Sequence, residues 1–199
     1  VIRARDNVLL DGESTQGFLS GVFSTVESEA QGNSRGVEIE SGSLTLTNGA
    51  QISASTIGEG DAGKVVIRAR DNVLLDGEST QGFLSGVFST VESEAQGNSR
   101  GVEIESGSLT LTNGAQITAS TRGEGDAGKV VIRARDNVLL DGESTQGFLS
   151  GVFSTVESEA QGNSRGVEIE SGSLTLMNGA LISAETRSTG MAGDVRLNV

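Results

Sequence analysis

The sequence predicts an all-β chain wound into a parallel β-helix, a β-solenoid with three strands per coil, and three observations carry that prediction. The chain repeats itself, short runs inside each repeat alternate apolar with polar residues, and Gly or Asn-Gly punctuates the runs. Residues 1–30 recur at 66–95 and again at 131–160, so the period is 65 residues. The chain is therefore one solenoid fragment, 1–199, made of repeats 1–65, 66–130 and 131–199.

Sixty-five residues are too many for one coil. Each repeat instead holds two half-units with the common opening Gly-(x)-Val-x-Ile. Gly36-Val37-Glu38-Ile39 opens a short coil, 36–62, and Gly63-Lys64-Val65-Val66-Ile67 opens a long one, 63–100. Two coils per repeat make about six in all. A single coil offers only two or three inward side chains per strand and cannot bury them alone; stacked on its copies it can.

In the short coil, Val37 and Ile39, then Leu44 and Leu46, then Ile52 and Ala54 alternate with polar residues, and Asn48-Gly49 turns the chain between the second and third runs. The long coil carries Val65, Ile67 and Ala69, then Val73 and Leu75, then the turn Asp76-Gly77. An insertion, 78–86, follows before Phe88 and Thr90 resume the third strand, and the polar loop 96–100 leads to the next coil. The expected core is Val37, Ile67, Leu44, Leu75, Ile52 and Phe88 with their copies, enclosed by three parallel sheets.

The copies test this reading where they differ. Thr47, Gln51, Ser55 and Ile57 become Met177, Leu181, Glu185 and Arg187 in the third copy, and Ser53 becomes Thr118 in the second, whereas Leu46, Ala50, Ile52, Ala54 and Thr56 are unchanged in all three copies. Alternate variability is what one wet and one buried face produce. The glycine density and β-branched content leave no room for a helix of any length. Aligning the two coil types also sets Arg3, Glu40, Arg68, Glu105, Arg133 and Glu170 in one outward file of alternating sign.

Composition narrows function. The chain has 199 residues, a net charge of −13 and no Cys, His, Pro, Trp or Tyr. The commonest general base and metal ligand is thus missing, and so is any disulfide or thiolate site. An acidic chain whose aromatics amount to 3% lacks the basic patches and stacking platforms that nucleic acids need. No apolar run approaches the roughly 20 residues of a membrane helix, so no membrane insertion is expected. The chain starts at Val1 in mid-motif and reads as a piece of something longer, with raw edges that would stack end to end.

Several motifs invite other readings. Gly58-Glu59-Gly60-Asp61-Ala62-Gly63-Lys64 approximates a phosphate loop, but Val65 replaces the hydroxyl and a strand follows where a helix is required. Its Gly-x-Gly-Asp resembles calcium-binding nonapeptide rolls, yet it recurs every 65 residues and loses the aspartate in the third copy, at Met191. The outward hydroxyls Ser43, Thr45 and Thr47 suggest an ice-binding row, which Leu74 of the long coil interrupts. The abundant carboxylates, Asp71, Asp76, Glu78, Glu92, Glu94, Glu103 and Glu105 in one period, admit a polysaccharide lyase or glycosidase. A catalytic site needs one distinctive constellation, however, and these acids come as three near-identical sets. No catalytic, cofactor or metal residue is assigned. The insertion residues Phe18 and Leu19, Phe83 and Leu84, and Phe148 and Leu149 either fold back on outward Leu74 or form a repeated partner-contact loop.

The cadence Gly-Asp-Ala-Gly-x-Val-x-Ile-x-Ala-Arg-Asp-x-Val-x-Leu-Asp-Gly from Gly60 to Gly77, with Leu-Thr-Asn-Gly-Ala-x-Ile-x-Ala-Ser-Thr in Ser108–Thr121, resembles the repeats of filamentous-haemagglutinin-like exoproteins. The large cyanobacterial proteins of two-partner secretion are the nearest in kind. The resemblance runs through all the coils, and it implies a right-handed helix, passage through an outer-membrane transporter, and a secreted or cell-surface location. The implied role is a non-catalytic stalk or display scaffold of an adhesin, with cell-surface, matrix or self contacts. The alternative is a polysaccharide-active enzyme of the same architecture.

Overall fold

A computed structural model describes residues 1–199. It contains no helix, and its strands lie in two curled parallel sheets, the arrangement of a β-solenoid. In the eleven-stranded sheet, Ile2–Arg3, Val37–Ser41, Val65–Ala69, Val102–Ser106 and Val130–Asp141 follow one another as hydrogen-bonded neighbours. Asn7–Asp11, Ser43–Thr47, Asn72–Asp76 and Ser108–Thr112 form a second file that meets the same Val130–Asp141, and Val167–Met177 and Val195–Asn198 continue beyond it. Gly21–Phe23, Gln51–Ser53, Gly86–Phe88, Gln116–Thr118, Gly151–Val156 and Leu181–Thr186 make the six-stranded sheet.

Every short-coil strand thus pairs only with long-coil strands, in the register that the alignment of the two coils requires. Val37 lies level with Val65, Leu44 with Val73, and Ile52 with Val87. The expected three sheets are two because the first and second strands fuse around a corner: Val130–Asp141 and Val167–Met177 run through it unbroken. At that corner the long coil carries two residues, Arg135-Asp136, opposite the single Gly172, and the register shifts between Ala134 and Asn137. One extra residue on alternate coils is a β-bulge, and it bends the strand without ending it.

Twenty-eight buried residues form one continuous core, including Ile39, Leu44, Leu46, Ile52, Ile67, Leu75, Ile104 and Ile117 at full burial. Phe88 is not among them. The inward residue of the long coil's third strand is Val87, fully buried and level with Ile52, while Phe88 points outward beside Ser53. Its ring lies over Gly86, where a Cβ would stand 2.4 Å from the ring. The large apolar side chain therefore covers bare backbone on the outer face, and the smaller β-branched neighbour fills the core. Thr90, expected to continue the third strand, is buried but lies past its end, since the strand stops at Phe88.

A second, polar interior sits beyond this strand. Ser89 Oγ is 3.0 Å from Ser99 Oγ and donates to the Gly63 carbonyl at 2.8 Å, and Ser99 Oγ donates to the Ser89 carbonyl at 2.6 Å; both serines are buried. Ser154 and Ser164 repeat the arrangement. Small hydrogen-bonded side chains let the backbone close here, in line with the rule that buried hydroxyls find partners. At the adjoining corner Gly32, Gly60, Gly97, Gly125, Gly162 and Gly190 stack so closely that a Cβ on Gly60 would lie 1.7 Å from the Gly32 carbonyl oxygen, and one on Gly97 would lie 2.1 Å from that of Gly60.

Candidate functional site

The insertion is the feature that distinguishes the two coil types, and the structure folds it into a small hairpin. Glu78 and Leu84 pair antiparallel, Ser79 donates its amide to the Phe83 carbonyl at 2.8 Å, and Ser79 Oγ accepts the Phe83 amide at 3.2 Å. The hairpin overhangs the Asn48-Gly49 turn of the short coil, where a Cβ on Gly49 would meet Ser79 Cβ at 2.5 Å. Ser85 Oγ then accepts the Gly49 amide at 2.9 Å.

Successive insertions also grip one another. Glu78 Oε1 accepts the Thr145 amide at 2.9 Å and the Thr145 hydroxyl, and Glu13 accepts the same two groups of Thr80. The Thr145 hydroxyl and amide hold the Glu78 carboxyl below its ordinary value, against an opposing effect of burial. The other oxygens, Glu13 Oε2 and Glu78 Oε2, are shielded and unpartnered. The hairpins therefore form a continuous ridge along one side of the solenoid. Phe18, Phe83 and Phe148 stand on it at 72%, 46% and 48% exposure, while Leu19, Leu84 and Leu149 are half-buried at its base.

The outward charge file lies on the larger sheet. Arg3, Glu40, Arg68, Glu105, Arg133 and Glu170 occupy consecutive register positions as expected. The guanidiniums reach beyond their own file: Arg68 Nη1 is 2.9 Å from Glu38 and its Nε 3.6 Å from Glu105, and Arg133 Nη1 is 3.4 Å from Glu103. Lys64 pairs with Glu103, and Lys129 with Glu168 at 2.5 Å. The Lys64 ammonium holds the Glu103 carboxyl low, and the Lys129 ammonium does the same to Glu168.

The Gly-x-Gly-Asp corner is a clasp between coils. Asp61 Oδ1 accepts the Asn98 amide at 2.9 Å, and its Oδ2 pairs with Arg100 at 3.1 Å; Asp126 repeats this with Asn163 and Arg165. Burial pushes both carboxyls up, but the asparagine and arginine donors outweigh it and leave them below the ordinary value. Both oxygens of each carboxylate are already engaged within the protein.

One groove, of about 640 Å³, opens between the loops of the second and third long coils. Glu94, Glu124, Glu157 and Glu159 line it around Arg122, whose guanidinium is 2.8 Å from Glu92. Ile57 takes the place of Arg122 in the first repeat, so the first and second copies offer different chemistry at this position. The roles of Thr80, Thr145, Ser85 and Ser150 escape sequence reasoning, since their partners lie 36 to 67 residues away and follow no local period. No family model, curated protein or solved structure matches this chain.

Proposed function

We propose that the chain is a segment of a right-handed parallel β-helix, about six coils of three strands, that serves as a non-catalytic stalk or display scaffold of a secreted or cell-surface adhesin-type protein. The observation that carries this reading is the unbroken parallel pairing of long with short coils through all three repeats. Such pairing extends without limit by duplication, each 65-residue repeat adding roughly 10 Å of length. The insertion ridge then displays Phe18, Phe83 and Phe148 at that spacing, and repetition turns a weak contact with a cell surface, matrix or another copy into avidity. Export through an outer-membrane transporter is part of the same proposal and rests on the resemblance of the repeats.

Tandem chains of three, six and nine repeats test it. Small-angle scattering should give a longest dimension that grows linearly with repeat number, and adhesion to immobilised cell-surface or matrix material should grow more steeply than copy number. A dimension that grows as a compact globule would overturn the reading. The groove around Arg122 supports one alternative, a polysaccharide-cleaving enzyme, because four carboxylates and an arginine converge there. New reducing ends released from a polysaccharide panel would establish it and displace the scaffold reading.

A further inference from the structure

In a chain of net charge −13, the outer face of the six-stranded sheet is nearly free of charge. Gly21–Phe23, Gln51–Ser53, Gly86–Phe88, Gln116–Thr118 and Gly151–Val156 contain no Asp, Glu, Lys or Arg, and only Leu181–Thr186, with Glu185, carries one. The larger sheet by contrast presents the ion pairs of Arg68 and Arg133 with Glu38, Glu103 and Glu105. The uncharged face instead carries rings. Phe23, Phe88 and Phe153 each fold back over the glycine two positions earlier, where a Cβ would stand 2.4 Å from the ring. Gly21, Gly86 and Gly151 are not at positive φ, so crowding, chiefly by the ring, calls for glycine there rather than the backbone angle. Phe88 and Phe153 are accordingly half-buried, packed on backbone below and open to water above.

The register sets these rings in one row with two glutamines. Gln51 lies level with Gly21 and Gly86, and Gln116 with Gly86 and Gly151. Because each ring sits over its glycine, the row reads Phe23, Gln51, Phe88, Gln116, Phe153, one group per coil and about 4.8 Å from the next. Gln51 Nε2 donates to the Leu84 carbonyl at 3.2 Å and Gln116 Nε2 to that of Leu149 at 3.1 Å, so the row runs along the foot of the insertion ridge. Neither Oε1 accepts a hydrogen bond within the chain.

We propose that this row binds an uncharged, extended β-1,4-linked glucan lying along the solenoid axis, with the rings stacked on alternate sugars and the glutamine amides bonded to the hydroxyls between. Such a glucan is a flat ribbon that turns over at each sugar. It therefore repeats at every second sugar, over about the same length as the roughly 10 Å between successive rings. An anionic polysaccharide would bring its charge to an acidic chain with no cation on this face to meet it. The ridge along the border hinders flat packing of a second copy, whereas a single ribbon fits beside it. The inference gives the proposed scaffold a ligand and rests on that reading only for the avidity of longer chains, since the whole row lies within this one.

The test is retention of the folded 199-residue chain by swollen cellulose, with gel electrophoresis through hydroxyethylcellulose as the soluble counterpart. Retention should be the same at low and high salt, because no ion pair is involved, and polygalacturonate should not retain the chain. Phe88→Leu combined with Phe153→Leu keeps the glycines covered but removes the rings, and should weaken binding at least about tenfold while the melt stays cooperative. Gln51→Ala combined with Gln116→Ala should weaken it several-fold. No retention by the glucan overturns the proposal, as does undiminished retention of the leucine variant, wherever else the glucan then sits. A dimer in sedimentation that the leucine pair dissociates would also overturn it, by assigning the face to a second copy. Should the leucine pair fail to fold, the alanine pair decides in its place, and an unchanged affinity overturns the proposal. Cellulose binding by tandem chains that do not lengthen would keep this inference and sink the stalk, and lengthening without binding would do the reverse.

Discussion

The long and short coils stack the same apolar files, yet they divide the remaining work between them. The first short coil, 36–62, has no Lys or Arg, whereas the long coil, 63–100, carries Lys64, Arg68, Arg70 and Arg100. Short-coil carboxylates Glu103, Glu168, Asp61 and Asp126 accept from long-coil donors Lys64, Lys129, Arg100 and Arg165. The insertion of the long coil overhangs the glycine turn of the short one. Two coils per repeat therefore supply complementary faces, where a single-coil repeat would set like charges about 4.8 Å apart. The core is common to both coil types, and the difference between them determines which coil stacks on which.

Breaking what is common should have the largest effect. Ile104→Asp places a carboxylate in a fully buried short-coil site and should cost more than about 4 kcal/mol, abolishing a cooperative melt followed by circular dichroism. Ile67→Asp in the long coil should do the same. Phe88→Ala, on the outer face, should leave a cooperative transition at reduced temperature, and equal damage from Phe88→Ala would restore it to the core.

Acid attacks the division of charge next. Asp11, Asp61, Glu78, Glu103, Asp126 and Glu168 all have folded-state values below the ordinary 3.8 of Asp and 4.5 of Glu. A depressed carboxyl contributes stability that is fully present above its unfolded value and is lost as pH falls through the folded one. Denaturant midpoints should accordingly hold steady above about pH 5 and fall steadily below about pH 4. The double variant Asp61→Asn, Asp126→Asn should flatten that fall; an unchanged acid limb would mean these clasps contribute nothing.

A smaller contrast separates the two turns. Gly49 and Gly77 both have positive φ, at 86° and 72°, but a Cβ on Gly49 meets the insertion while one on Gly77 meets open space. Gly49→Ala should thus cost about 2 to 3 kcal/mol against about 1 for Gly77→Ala, the excess measuring how firmly the insertion sits. Chemical-denaturation midpoints give both values. The smallest effect belongs to the charge file: Arg68→Ala should cost about 0.2–1 kcal/mol, and the loss should shrink in high salt because the pairs are exposed. A cost that does not respond to salt would assign Arg68 a packing role instead.

Much of this was legible in the sequence because a period of two leaves little choice once one face is apolar. Val37 to Leu46 and Val65 to Leu75 fall inward as the alternation requires, and the charge file follows from the same alignment. Phe88 is harder to place because the insertion interrupts the count, and hydrophobicity alone favours the larger residue over Val87 for the core. The Gly two positions before it was the available signal, since an aromatic on the outer face of a strand can cover a bare glycine. The grip of Glu78 on Thr145 left no such trace: it joins loops a full repeat apart and depends on how far each hairpin projects.

The stacked glycines at the corner also bear on how such a protein can change. Around Gly190 the third copy has diverged freely, with Ser188, Thr189 and Met191 where the first has Gly58, Glu59 and Asp61, yet the glycine itself is retained. Each member of that stack from Gly60 onward lies against the glycine carbonyl of the preceding coil, so a side chain there is opposed by a neighbouring coil's backbone. Divergence between repeats is thereby channelled to the outer faces and loops, and a lineage that lengthens by duplication can vary what it displays while the seam that joins its units stays fixed.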